Sequence, residues 1–198
     1  MEKLLYIDAC VNREISRTER LARVLLDRLL EQGGYELETL VLEDEGDKLQ
    51  PLTGQLVLER SDCVAANDFS HPVFDYAKQL AQADAVVFAA PYWDFSFPAQ
   101  LKVYLELLCA QGVTFTYSPE GIPTGLVRAK HAYYVTTVGG YVGDWNYGWD
   151  QIRALCQLYF GIQDVQEFRA EGLDIVTNDA DAIMAEAIER IRTAELKM

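Results

Sequence analysis

Residues 84–100 read DAVVFAAPYWDFSFPAQ: an apolar run stops at a proline and passes into an aromatic turn. The run Ala85–Ala90 has the length and composition of a buried strand, and Pro98 suits the first turn of a helix. In an open α/β sheet, ligands bind beyond the carboxyl ends of the strands. The large flat side chains of Tyr92–Phe97 therefore indicate a site for a flat aromatic ligand rather than for a sugar or an ion.

Strand and helix patterns alternate on both sides of this stretch. Short apolar or β-branched runs predict the strands Leu4–Ile7, Tyr35–Leu42, Ala85–Ala90, His131–Thr137 and Val165–Ala170. Helical spacing of apolar residues predicts the helices Ser16–Leu30, Val73–Ala83, Pro98–Ala110, Trp149–Tyr159 and Asp179–Leu196, the last capped by Asn178. This order predicts a doubly wound α/β fold, with a five-stranded parallel sheet between two helical layers (α/β/α).

The charged segment Glu43–Ser70 is the least regular part of the chain. Pro51 and Gly54 argue against a long helix there. Since the 198 residues contain no linker, repeat or low-complexity segment, we expect a single domain over residues 1–198.

Composition excludes several classes of function. Lys plus Arg number 17 and Asp plus Glu number 31, and the resulting formal net charge of −14 repels a nucleic-acid backbone. The four cysteines are widely spaced and only two histidines are present, so no metal-ligand spacing occurs. The first residues carry no signal-peptide pattern, and no apolar run approaches the ~20 residues that cross a bilayer. We expect a cytoplasmic protein with reduced thiols that binds neither membrane nor nucleic acid.

The start of the first helix is a candidate anion site. Ser16, Arg17 and Thr18 lie where unpaired N–H groups and the helix dipole favour a phosphate monoester. No GxGxxG occurs, so the dinucleotide-binding motif is absent. The alternative is a simple capping box of Ser16 with Glu19, which needs no ligand.

A pair of glycines, Gly139 and Gly140, follows the strand that begins at His131. Glycines let the backbone approach a ligand, and their N–H groups suit the oxygens and ring nitrogens of a planar heterocycle. Alone, such a pair is more often a turn. Because parallel strands end side by side, we expect the anion site, the aromatic turn and the glycine pair to form one site.

The chain resembles the family of FMN-dependent NADH-azoreductases and NAD(P)H:quinone oxidoreductases, which has a flavodoxin-like fold. The similarity is carried by AAPYWDFSFPAQLKVYLELL at residues 89–108, AQGVTFTYSPEGIPTGLVRAKHAYYVTTVGG at 110–140 and FGIQDV at 160–165. It extends over nearly the whole chain and is weak only between Glu43 and Ser70. The resemblance implies that the predicted sheet has the flavodoxin-like arrangement.

The resemblance also implies the site residues. The family's phosphate-binding positions correspond to Cys10, Ser16, Arg17 and Thr18. The positions that face the flavin ring correspond to Tyr92, Trp93, Asp94 and Phe95, and those at the ring edge correspond to Thr137, Val138, Gly139 and Gly140. The aromatic positions of the substrate pocket correspond to Tyr117 and Tyr159. No catalytic acid, base or nucleophile is implied, and no metal.

Three of these positions depart from the family pattern. Asp94 stands in place of an asparagine, Cys10 in place of a hydroxyl donor, and Val138 in place of a polar or basic side chain. The Asp94 carboxylate disfavours an anionic reduced flavin only if its side chain, rather than its backbone N–H, serves the cofactor. A thiol donates a weaker hydrogen bond than a hydroxyl. We expect altered potential or substrate preference rather than loss of flavin binding.

The activity implied by the resemblance is two-electron transfer from NADH or NADPH through FMN to a quinone or azo compound, with ping-pong kinetics. The family's homodimer, with its active site at the interface, is implied as well. Few arginines near the site favour NADH over NADPH, because a 2′-phosphate needs a cationic partner.

Other functions remain open on the sequence alone. They are a flavodoxin-type electron carrier, an FMN reductase that releases reduced flavin, and an inactive sensor or interaction protein with the same fold. The extended segment Gly112–Gly125 resembles a substrate-pocket wall and favours an enzyme. The aromatic run Tyr141–Trp149 is equally consistent with a cover for the acceptor site, a subunit contact or surface packing.

Overall fold

The computed structural model describes residues 1–197. The main strands are β1 Glu2–Asp8, β2 Tyr35–Val41, β3 Ala85–Ala89, β6 His131–Thr137 and β7 Asp164–Ala170. Every neighbouring pair among them is parallel, and the sheet order is β2-β1-β3-β6-β7. Two shorter strands, β4 Phe115–Tyr117 and β5 Pro123–Gly125, form a separate antiparallel hairpin.

Helices cover both faces of the sheet. Their bounds are α1 Arg17–Glu31, α2 Gly54–Ala66, α3 Asp75–Ala81, α4 Ala99–Leu108, α5 Tyr147–Ala154 and α6 Ala180–Thr193. Alternate side chains of the central strand β3 enter two separate cores: Val86 and Phe88 pack with α3, α4 and α5, while Val87 and Ala89 pack with α1 and α6. The prediction of a five-stranded parallel α/β/α fold is confirmed.

The helix α2 corrects the expectation that Glu43–Ser70 holds no long helix. Thr53 caps it by accepting a hydrogen bond from the N–H of Leu56, and Gly54 is only its first residue. A glycine at a helix end costs far less than one in the interior. No residue of α2 is fully buried, so its apolar stripe is weak and its sequence shows little helical period.

The cap of the last helix is also corrected. The carboxylate of Asp179, rather than the side chain of Asn178, accepts from the N–H of Ala182 at 3.0 Å. The Asn178 amide instead donates to the carbonyl of Gly172 and the hydroxyl of Tyr141. Either residue type can cap a helix, so the neighbouring turn decides between them.

Two kinds of feature are absent from the described residues. Within residues 1–197, no helix has both the length and the apolar character needed to span a membrane. The same residues contain no cluster of three or more His, Cys, Asp or Glu side chains arranged to hold a metal ion.

Candidate functional site

Three loops meet at the carboxyl end of the sheet. The N–H of Ala9, just beyond β1, donates to the carbonyl of Ala89 at the end of β3, at 2.9 Å. The N–H of Tyr92 donates to the carbonyl of Thr137 at the end of β6, at 3.0 Å. The hydroxyls of Thr18 and Thr137 hydrogen-bond at 2.5 Å and tie α1 to β6. The anion site, the aromatic turn and the glycine pair therefore lie side by side.

The first turn of α1 leaves backbone donors free. Ser16 caps the helix, because its Oγ accepts from the N–H of Glu19 at 3.1 Å. The second half of a capping box is missing, since the Glu19 carboxylate pairs with Arg23. Within residues 1–197, the N–H groups of Arg17 and Thr18 have no acceptor. The Ser16 hydroxyl accepts in its bond to Glu19, so its own proton remains available to an anion.

The guanidinium of Arg17 is already paired across the site. Its Nη1 lies 2.7 Å from Oδ1 of Asp174, in the loop after β7. The N–H of Asp174 donates to the carbonyl of Gly139 at 2.8 Å. A Cβ on Gly139 would collide with the Asp174 carboxylate. An anion at the start of α1 must therefore share Arg17 with Asp174.

Asp8 fixes the loop Ala9–Ser16 from beneath. Its buried carboxylate accepts from the N–H of Cys10 at 2.9 Å and pairs with Nε of Arg13 at 2.7 Å. The thiol of Cys10 is also buried and lies 3.8 Å from the carbonyl of Ala89. Burial raises the pKa of the Cys10 thiol, so this group stays protonated at neutral pH. Cys10 thus lies in the floor of the predicted phosphate loop.

The aromatic turn has an unusual backbone. Trp93 and Ser96 exchange two backbone hydrogen bonds, of 3.1 and 2.7 Å, around Asp94 and Phe95. Both central residues have positive φ, 49° and 66°, as in a type I′ turn, for which Asn-Gly is the favoured pair. Left-handed backbone costs a residue with a Cβ about 1–2 kcal/mol. Such strain concentrates at functional sites, where the side chains are needed for another purpose.

This turn holds large rings at the surface. The side chains of Trp93 and Phe95 are 48% and 53% exposed. In the part of the chain that the structure describes, the N–H groups of Asp94 and Phe95 have no acceptor. The hydroxyl of Tyr92 donates to the carbonyl of Trp145 at 2.6 Å. The turn is therefore held in place by hydrogen bonds, while its ring faces and unpaired N–H donors remain available to a ligand.

The glycine pair supplies two more donors. Val138 has a structural role and does not face the open space, because its side chain is buried and its N–H donates to the carbonyl of Ala170, at the end of β7, at 2.8 Å. The N–H groups of Gly139 and Gly140 have no acceptor within residues 1–197. A Cβ on Gly140 would meet no atom within 4 Å, so the space in front of it is open. The edge of a planar ligand has both room and donors here.

The family model described as "Flavodoxin-like fold" matches residues 2–194. The chain belongs to this flavodoxin-like fold family. An "FMN-dependent NADH:quinone oxidoreductase" of Clostridium beijerinckii is 35% identical over 196 residues, which cover 97% of both chains. The "FMN-dependent NADH:quinone oxidoreductase 2" of Clostridium acetobutylicum is 34% identical over 200 residues, with the same coverage.

Solved structures agree with this fold. An azoreductase from Bacillus anthracis matches with a TM-score of 0.83 at 23% identity, covering 96% of this chain and 97% of that one. An FMN-dependent NADH-azoreductase from the same species, in complex with FMN, matches with a TM-score of 0.81 at 20% identity. These likenesses support the arrangement of the sheet and its helices.

In this flavodoxin-like chain, the two tyrosines predicted for the substrate pocket lie at the opposite end of the sheet. Tyr117 ends β4, and Tyr159 belongs to the π-helical segment Leu155–Phe160. Their hydroxyls are 3.5 Å apart and either can be the donor, and the hydrogen bond between them raises the pKa of Tyr159. Tyr159 also stacks on Phe115, with ring centroids 4.5 Å apart.

A helical segment separates this tyrosine pair from the three loops. Eight α-helical residues from Tyr147 and six π-helical residues to Phe160 run back along the sheet. Fourteen helical residues span about 20 Å. Since the N–H of Tyr147 donates to the carbonyl of Phe95 at 3.2 Å, the segment begins at the carboxyl end. Tyr117 and Tyr159 therefore do not reach the loops of their own chain.

Sequence reasoning missed two carboxylates of this flavodoxin-like site. Asp8 is a charged residue at the end of an apolar strand, and only this position in the sequence could have indicated a buried carboxylate. Asp174 pairs with a residue 157 positions away, and nothing in its neighbourhood distinguishes it from any surface aspartate.

Proposed function

We propose that this chain is an FMN-dependent oxidoreductase that uses NADH to reduce quinones and azo compounds. The proposal rests on two neighbouring groups of unpaired backbone N–H donors at the carboxyl end of the sheet. Arg17 and Thr18 supply the group suited to a phosphate, and Gly139 and Gly140 supply the group suited to a planar heterocycle. The relatives named FMN-dependent NADH:quinone oxidoreductases, at 35% and 34% identity over nearly the full chain, support the same cofactor and donor.

The cofactor fits the residues present at this site. Its phosphate would be held by Ser16, Arg17 and Thr18, above the loop that contains Cys10. Its ring would lie against Tyr92, Trp93, Asp94 and Phe95, with its edge at Thr137, Val138, Gly139 and Gly140. Two features support this fit: the unpaired N–H groups, and the open space in front of Gly140.

The hydroxyl pair of Thr18 and Thr137 limits what these side chains can donate. One of their two protons is used in the bond between them, and either oxygen can be the donor. One proton therefore remains for a ligand, and Thr137, at 9% exposure, is better placed to offer it than Thr18, at 1%. Thr18 then serves the phosphate through its backbone N–H.

When bound, FMN supplies the two-electron relay by which NADH, a proton and a quinone become NAD⁺ and a hydroquinone. The chain contributes position and shielding. The rings of Trp93 and Phe95 are about half exposed and offer faces on which a flat acceptor can stack. Donor and acceptor use one surface in turn, which gives ping-pong kinetics.

We further propose that the active form is a homodimer. Tyr117 and Tyr159 lie at the amino end of the sheet, so they can serve the site only on a second copy of the chain. Tyr117 is 43% exposed, and its ring is therefore available to such a contact. In a two-fold dimer, each copy would give its loops to one site and its tyrosines to the other.

Three finer assignments accompany this proposal. NADH is favoured over NADPH, because Arg17 and Arg169 are each paired with carboxylates and leave little charge for a 2′-phosphate. Four free cysteines support a cytoplasmic location. Residues 1–198 are assigned to one domain, since both apolar cores of the described residues pack on the same sheet.

The test is the visible spectrum of the purified protein, followed under anaerobic conditions as NADH and then a quinone are added. We expect a yellow protein that is bleached by NADH and recovers its colour with the quinone. Parallel lines in double-reciprocal plots are expected for the steady state. A colourless protein that does not bind added FMN contradicts the proposal.

Two alternatives give different results in the same experiment. Stoichiometric oxidation of NADH without turnover on the quinone would indicate an electron carrier. Protein that is reduced, passed through gel filtration under anaerobic conditions and then stays colourless when it is reoxidised would indicate a reductase that releases reduced flavin.

A further inference from the structure

The aromatic segment, Tyr141–Trp149, runs from the glycine pair to the first turn of α5. Tyr141, Trp145 and Tyr147 are 66%, 57% and 57% exposed. Exposed rings that cluster at one place mark an interaction site more often than rings that are scattered singly. The contacts of this segment decide which ring faces the site and what holds it there.

Two hydrogen bonds fasten the segment to the aromatic turn. The hydroxyl of Tyr92 donates to the carbonyl of Trp145 at 2.6 Å. The N–H of Tyr147 donates to the carbonyl of Phe95 at 3.2 Å. The backbone on both sides of residue 146 is thus fixed against the turn.

An ion-pair network fastens the other side of the segment to the edge of the sheet. Arg169 lies between two carboxylates, with Nη1 3.0 Å from Glu167 and Nε 3.6 Å from Glu171. Glu167 accepts from the side-chain amide of Asn146 at 2.8 Å. Glu171 accepts from the N–H of Val142 at 3.0 Å. Arg169 therefore positions both glutamates, which in turn hold Val142 and Asn146 of the aromatic segment.

The two exposed rings nearest each other form a corner. Trp145 and Phe95 meet edge to face, with ring centroids 5.9 Å apart and planes at 90°. Both side chains remain more than half exposed in this contact, at 53% for Phe95 and 57% for Trp145, so ring surface of each stays accessible beside the other. A flat ligand can stack on one face while its edge meets the other. Electron-poor rings, such as those of quinones, are attracted to the electron-rich face of an indole.

We propose that Trp145 determines acceptor specificity by forming, with Phe95, a preformed wall for flat bicyclic or larger acceptors. Arg169 is a positioning residue that keeps this wall in place through Glu167 and Glu171. The inference rests on the proposed function, because it describes the acceptor side of the same site. A corner of two rings suits one small planar molecule and is far smaller than the ~1,000 Å² that a stable protein interface needs.

The test compares acceptors of different shape in the FMN-loaded protein. For Trp145→Ala we expect kcat/KM for 1,4-naphthoquinone to fall about tenfold, chiefly through KM, as expected for loss of one stacking face. The rate with ferricyanide, which is not planar, and the dissociation constant of FMN are expected to stay unchanged. Trp145→Phe keeps a ring in the corner and is expected to retain most of the naphthoquinone activity.

Arg169 is tested by rescue. Arg169→Ala is expected to raise KM for naphthoquinone in the same way as Trp145→Ala, while Arg169→Lys, which can still pair with one glutamate, restores part of the loss. The matched control is Tyr147→Ala, which removes an equally exposed ring outside the Trp145–Phe95 corner and leaves the backbone bond to Phe95 intact. This control is expected to keep the wild-type ratio of the acceptors.

Two outcomes overturn the inference. Equal losses with naphthoquinone and ferricyanide, accompanied by a change in sedimentation, would make Trp145 a subunit contact. An unchanged kcat/KM for naphthoquinone in Trp145→Ala would show that Trp145 does not contribute to acceptor binding. Failure of the proposed function itself is distinct, because the wild-type protein would then bind no FMN and reduce neither acceptor.

Discussion

At the carboxyl ends of the strands the glycine pair leaves two backbone donors beside open space, whereas at the amino ends the segment around the hairpin is closely packed and largely hydrogen-bonded. Gly139 and Gly140 have free N–H groups, and the space in front of Gly140 is open. In the hairpin at the amino end, Gly112 donates to Phe115 at 2.7 Å, and Gly125 packs directly against Gly161. The same five strands thus end in one surface with open space beside unpaired donors and in another where the loop next to the hairpin packs backbone against backbone.

The difference shows what each end can do. Backbone donors that no protein group uses are free to bind a ligand, and strained backbone such as that of Asp94 and Phe95 concentrates at functional sites, so this end suits a cofactor. Closed packing suits a surface that must keep its shape when it meets another molecule. Tyr117 and Tyr159 lie on that closed end, which is why we assign them to the site of a partner copy.

The largest expected effect comes from mixing variants that are each defective at one end. Arg17→Glu should preserve α1, because acidic residues are favoured in a first turn, yet repel the phosphate. Tyr117→Ala combined with Tyr159→Ala removes the aromatic pair at the other end. Alone, each protein is expected to be nearly inactive. Co-refolded in equal amounts, they should recover about a quarter of wild-type activity, since half of the dimers are mixed and each has one intact site.

The control for this experiment mixes each variant with itself under the same refolding conditions. Recovery without mixing would mean that the single variants were only misfolded. No recovery in the mixture, with both proteins folded by circular dichroism, would contradict a site shared between two copies.

Much of the fold follows from local pattern. The strands β1, β3 and β6 are nearly continuous apolar runs, because both faces of a parallel sheet are buried, and this makes them easy to find. The hairpin was missed because its strands are three residues long and contain Pro123 and Gly125. The helix α2 was missed because no residue of it is fully buried.

The convergence of the three loops was predictable from the sequence, but their side-chain pairings were not. Adjacent parallel strands place Ser16, Trp93 and Gly139 at one end of the sheet, as the order of strands predicts. The partners of these loops, such as Asp174 for Arg17, come from distant parts of the chain. Likewise, nothing local indicates that Tyr117 lies at the opposite end, because that placement depends on the direction of α4 and α5.

The next prediction compares two glycines that lack space for a Cβ. At Gly125 the atoms in the way are the backbone of Phe160 and Gly161, whereas at Gly139 they belong to the exposed carboxylate of Asp174. We expect Gly125→Ala to cost about 3 kcal/mol, or roughly 6–12 °C in Tm, because backbone cannot move aside locally. Gly139→Ala should change Tm by less than about 2 °C, since a side chain can rotate away and an exposed ion pair contributes little.

Thermal unfolding of the two apo variants, beside the wild type, measures this difference. Equal losses in Tm would mean that the carboxyl end is packed as tightly as the amino end. That result would weaken the reason for assigning the ligand to the glycine pair.

The smallest expected effect tests Asp94, whose φ is 49°. Asparagine tolerates left-handed backbone better than aspartate and is favoured at the first central position of a type I′ turn. Asp94→Asn should therefore stabilise the apo protein by about 0.5 kcal/mol, read as a small rise in Tm. It also removes a negative charge, so a bound flavin should be reduced at a more positive potential if the Asp94 side chain faces it.

The matched control is Asp144→Asn, which removes one exposed carboxylate from the same end of the sheet at a residue whose φ is not positive. Its Tm and flavin potential should both stay near the wild-type values. A rise in Tm for Asp94→Asn without a change in potential would mean that Asp94 serves the cofactor through its backbone N–H alone. A fall in Tm would instead show that the Asp94 carboxylate stabilises the turn, and the positive φ would then be the consequence of a side-chain contact rather than stored strain.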